Sequence, residues 1–115
     1  MHRINRPPDT EIPNAYLEYT KLAEGNDLAE ALASSRNLTV GLFDSIPAEK
    51  ESFCYAEGKW SLKTVLSHII DSERVFAYRA MRFSRFDSTE LAGFDENEFA
   101  KNCNADARKL WDMRD

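Results

Sequence analysis

The sequence predicts an all-α protein, and three observations predict it. Apolar residues recur at helical spacing in the longer stretches, and no segment shows convincing strand-like alternation. Glycine and proline sit almost entirely outside those stretches. Ser, Asp or Asn residues that can cap a helix stand in front of them. At 115 residues the chain is one small domain at most.

Residues 1–25 read as an N-terminal arm with a short helix. Pro7, Pro8 and Pro13 mark the arm, and "NAYLEYTKLAEG" forms the helix, closing at Gly25 with Tyr16, Tyr19 and Leu22 on one face. Residues 26–86 read as a helical hairpin. Asn26 or Asp27 caps its first helix, in which Leu28, Leu32, Leu42, Phe43 and Ile46 recur until Pro47 stops it. Gly41 weakens this helix by up to about 1 kcal/mol relative to Ala. A loop carrying Gly58 and Trp60 follows.

Ser61 caps the second and strongest helix. Leu62, Val65, Leu66, Ile69, Phe76, Ala80 and Phe83 form one stripe at about 100° per residue. Running to about Arg85, it is roughly 36 Å long, the length of a bundle helix. Residues 87–103 read as a polar connection around Gly93. Residues 104–115 read as the start of a third helix, opened by Asn104, in which Ala107, Leu110 and Trp111 begin a stripe. No Gly or Pro stops it, as expected of a segment cut from a longer chain. Two long helices and a stub bury little on their own, and the expected remedy is a second copy, two hairpins completing a four-helix bundle.

Composition excludes several classes. A net charge of −5 argues against general affinity for phosphate backbones. No run of roughly 18 apolar residues could span a membrane, and "MHRINRPPDTEIP" has no apolar region of a secretory signal. Cys54 and Cys103 lie far apart with no metal or redox spacing, the pattern of a reduced protein, so a cytoplasmic location is the expectation. Arg74, Arg79, Arg82 and Arg85 spread over the polar back of the strongest helix rather than forming a nucleic-acid stripe. "DENE" at Asp95 has a look of a calcium loop, but Phe99 replaces an oxygen ligand and no Gly follows in register. Trp60 reads as a packing plug at the helix start. Ser61 has no neighbouring base that would make it a nucleophile.

Two residues on the strongest helix carry the functional question. With Leu62 at 0°, His68 falls at about 240°, on the flank of the stripe, where it can turn between helices or out to water. A catalytic zinc-type site takes about three protein ligands, and one imidazole supplies a third of that. Glu73 falls at about 20°, in the middle of the stripe, where a buried carboxylate needs a partner or a proton. It reads either as half of a structural ion pair or hydrogen bond to an Arg or Tyr of a neighbouring helix, or as a general base or supporting group for a metal at His68.

"GKWSLKTVLSHIIDSERVFAYRAMRFSR" with "LAGFDENEFA" resembles the DinB-like (DinB/YfiT) superfamily of metalloenzymes, and "NAYLEYTKLAEGNDLAEAL" is similar to the arm and first helix of those proteins. The likeness covers essentially the whole chain and is specific in Trp60-Ser61, in His68 with Asp71 and Glu73, and in Arg79. It implies an up-down-down-up four-helix bundle, generally dimeric, and a metal held by one His of the second helix and a His-x-x-x-His pair of the fourth. Carried over, the second-helix ligand is His68; the fourth-helix pair falls on nothing, because the third helix is barely begun at Asp115. The other His, His2, matches no family ligand.

Two functions follow from the resemblance. In one, the chain is an inactive or incomplete dimeric helical-bundle module whose apolar stripe is the working surface. In the other, it is a metal-dependent transferase, isomerase or hydrolase acting on small thiols, with His68 as one ligand and Glu73 and Arg79 as candidate acid-base and anion-contacting residues. The implied cofactor is a divalent metal, zinc, nickel or iron, absent or weakly held in this chain as it stands. The implied partner is a second copy, with neither membrane nor nucleic acid.

Overall fold

Helices form where a cap meets an apolar period, and the C-terminal third holds two short ones where periodicity predicts a connection and one longer helix. The computed structural model describes residues 4–23, 25 and 27–114. Its described residues are all-helical, with α1 at Leu17–Leu22, α2 at Leu28–Asp44, α3 at Leu62–Ser84, α4 at Glu96–Asn102 and α5 at Leu110–Arg114. Short 3-10 turns punctuate the connections, and Cys54 and Ser61 form an isolated antiparallel bridge. None of the described helices is long and apolar enough to cross a membrane. The chain divides into two compact units, Met1–Ser45 and Ile46–Asp115.

In the first unit Asp27 is the cap of α2, its Oδ1 accepting the N–H groups of Ala29 at 2.8 Å and Glu30 at 3.3 Å. The alternative cap, Asn26, lies outside the described residues. The arm joins this helix through the Leu28 N–H, which donates to the Ile4 carbonyl at 3.1 Å. Among the described residues, Ile12 and Phe43 are the buried apolar side chains here, whereas Leu32, Leu38 and Leu42 are each more than half exposed. The α1 face of Tyr16, Tyr19 and Leu22 is also exposed.

The second unit is built around α3. Its core holds Leu66 of α3 with Ala105, Leu110 and Met113 from the C-terminal segment. Both α4 and α5 pack on α3. The helix ends in a Schellman motif: the Phe86 N–H reaches the Phe83 carbonyl at 3.0 Å, and the Asp87 N–H reaches the Arg82 carbonyl at 3.1 Å. The left-handed residue that this motif requires is usually Gly. Here it is Phe86, with φ 56°.

Two readings of the C-terminal third are corrected. Residues 87–103 are not only a connection, because α4 lies within them. Asp95 caps α4 through N–H groups of Asn97 and Glu98 at 2.9 and 3.1 Å, and the Phe94 and Phe99 rings meet 5.1 Å apart, a hydrophobic staple across the cap. Asn104 opens no α-helix. It sits at φ 53° just past the end of α4, a position that Asn tolerates, and makes no side-chain cap. A 3-10 turn at Ala105–Ala107 and an extended Arg108 then separate it from the short α5.

Candidate functional site

A network of side-chain bonds surrounds the start of α3, and it begins with one hydroxyl. Ser61 Oγ accepts the Thr64 N–H at 3.1 Å as the helix cap and donates to Asp106 Oδ1 at 2.7 Å. Because the Ser61 proton is committed to Asp106, the bond to Thr64 Oγ1, 3.0 Å away, takes the threonine proton. With two bonds accepted and one donated, the oxygen is saturated and buried, which suits a structural pin and not a nucleophile.

Lys63 is buried beside it. Its ammonium stands 3.5 Å from Glu51 Oε2 and 3.5 Å from the Asp106 carbonyl. A cation in the first turn opposes the helix dipole, so this ion pair supplies the compensation that burial demands. Glu51 Oε2 also accepts the Leu110 N–H at 3.4 Å. No sequence signal marks Lys63 or Glu51, because a pair twelve residues apart across a loop leaves no periodic pattern.

His68 lies one turn further along α3. It is half-buried, and its ring stands 5.1 Å from that of Trp60 at an interplanar angle of 50°. Trp60 thus acts as packing for the imidazole and also forms one wall of an open cleft of about 370 Å³. Phe53 and Tyr55 supply further aromatic wall, Leu62 and Val65 the face of α3, and Lys59 and Asn97 the polar rim.

Glu73 and Arg79 go elsewhere. Glu73 is exposed and has no ion-pair partner among the described residues. The expectation of a buried, paired carboxylate fails because the stripe around it is itself open: Ile69 is 36% exposed, Phe76 58% and Phe83 67%. The covered side of the lower helix is the flank, where Asp71, Ser72, Val75, Arg79 and Arg82 are half-buried. Arg79 lies over the Phe76 ring and donates to the Ala92 carbonyl at 3.1 Å, holding down the chain that returns from α3. Arg82 does the same with an ion pair to Asp87, a bond to Tyr78 Oη at 2.7 Å and one to the Thr89 carbonyl at 3.1 Å. Asp87 accepts the Thr89 N–H at 2.9 Å; that bond first, and Arg82 second, hold its carboxyl down to about 2.

The donor set around His68 does not fit a metal centre. Among the described residues no three His, Cys, Asp or Glu side chains converge as a cation would need. Asp71, three residues on, is turned to Arg74 at 3.9 Å, and His2 lies outside the described residues.

The sequence model of the DinB superfamily matches residues 31–113. The chain belongs to the DinB superfamily. That span takes in most of α2, all of α3 and α4, and α5 almost to its end, so membership rests on the helices that carry His68, Glu73 and Arg79. Searches of curated proteins and of solved structures found no significant match. The superfamily is often metal-associated, which sets this DinB-superfamily chain's lone described histidine in relief.

Proposed function

We propose that this DinB-superfamily chain is a helical-bundle module that works by self-association, a second copy covering the open face of α3 to complete a four-helix bundle. The supporting observation is the inverted covering of α3. Its flank is occupied by the chain's own connections, while Ile69, Phe76 and Phe83 of the apolar stripe stand in water. Exposed apolar side chains recurring every seven residues along one face of a regular helix suit contact with another helix. Sedimentation at micromolar concentration tests this. A dimer that becomes a monomer in the folded double variant F76E/F83E is the expected result, and a monomeric wild type overturns the reading.

The finer alternative is a metal-dependent enzyme acting on small thiols through His68. It needs ligands from outside the described residues to complete about three. Elemental analysis of protein purified without chelator or affinity-tag histidines separates the two. Stoichiometric zinc, nickel or iron that disappears in His68→Ala favours the enzyme, and metal-free protein favours the module.

A further inference from the structure

We propose that the cleft between the 53–60 loop, the first turns of α3 and the start of α4 is a binding site for a small planar aromatic carboxylate. The proposal is independent of self-association, because the cleft lies at the opposite end of α3 from Phe76 and Phe83.

Size comes first. A cavity of about 370 Å³ is at the lower end of those that take organic ligands, room for one or two fused rings. Its walls set the chemistry. Three aromatic side chains, Phe53, Tyr55 and Trp60, face the same space as Leu62 and Val65, so a flat apolar body is favoured over a polar or branched one.

The platform is also held in place. The Trp60 ring is backed by His68, and the loop is pinned on both sides of it: the Leu62 N–H donates to the Phe53 carbonyl at 3.1 Å, and the Lys59 N–H to the Ala56 carbonyl at 3.2 Å. The latter closes a turn that needs Gly58 at φ 71°. A wall ordered before the ligand arrives loses little entropy when it binds.

The rim decides the charge. Lys59 is the charged residue in the lining, and its ammonium has no ion-pair partner among the described residues. Three aromatic walls alone would equally suit an organic cation. A free ammonium among them reverses that preference and selects an anion. Asn97, whose carboxamide makes no hydrogen bond among the described residues, offers a neutral N–H donor to the same carboxylate.

Titration of 2-naphthoate into the full chain, followed by amide and indole N–H resonances, tests the site, with 2-naphthylmethylammonium as the charge-reversed control. Saturable shifts are expected at Gly58, Lys59, the Trp60 indole and the Asn97 side chain, with a dissociation constant of about 0.1–1 mM. Lys59→Glu should weaken binding about tenfold and Asn97→Ala about threefold, both variants keeping the wild-type spectrum elsewhere. Three results would each overturn the assignment: equal or tighter binding of the ammonium compound, shifts centred on Phe76 and Phe83, or no saturation by about 5 mM.

Discussion

Asp87 shows how a single side chain holds the return of the chain from α3. It takes the Thr89 N–H and the Arg82 guanidinium together, and both favour its charged form. A carboxyl held to about 2 when folded, against 3.8 as a free group, contributes stability that is complete above pH 4. That contribution is lost as pH falls through 2. Asp87→Asn should therefore lower the urea midpoint at pH 6, and the difference from wild type should shrink as pH falls toward 2 and vanish below it. Equal midpoints at both pH values would show that the network adds nothing to folding. His68 and Glu73 mark how far residues could be read from the sequence alone. The wheel placed His68 on a flank, and a half-buried flank position is where it lies. It also placed Glu73 in the stripe, but periodicity says which residues share a face and not whether anything covers that face.

At the scale of the elements, the caps carried most of the legible signal. Ser61 and Asp27 stand where a hydroxyl or carboxylate precedes an apolar period, and both cap as that pattern implies. Ser61→Ala should cost about 1–2 kcal/mol in chemical denaturation, at the upper end for a cap because the Asp106 bond goes with it. The same change in an Asp106→Ala background should cost less, since the two groups share one bond. Asp95 with Glu98 three residues later carried the same kind of start signal and was obscured by its likeness to a calcium loop. Asn104 precedes an apolar period as a cap would, yet its tolerance of the left-handed region makes it equally a stop. Phe86 had no sequence signal at all. Its ring is 96% exposed while its backbone holds the conformation usually left to Gly. Phe86→Gly should raise stability by about 1 kcal/mol, read as a higher thermal midpoint.

For the molecule as a whole, the sequence made the helical class and the superfamily legible because both reside in patterns along one chain. Partner and cofactor do not reside there. The likeness that named His68 as a ligand needs two more imidazoles, and the described residues bring no such set together. What the described residues offer is an apolar face with a carboxylate in its middle. A second copy closing over that face must desolvate Glu73 or find it a cation. Glu73→Leu should then tighten self-association about tenfold in sedimentation equilibrium. No change in affinity would place the contact on another face.

Glu51 gives the second unit a long-range dependency. A single oxygen serves the buried ammonium in the first turn of α3 and the amide that starts α5, a residue 59 positions later. Deuterium uptake at Leu110 should thus report on the health of a turn far upstream, rising in Glu51→Ala while the α4 amides keep their protection. A lesion in that turn would be felt first at the tail.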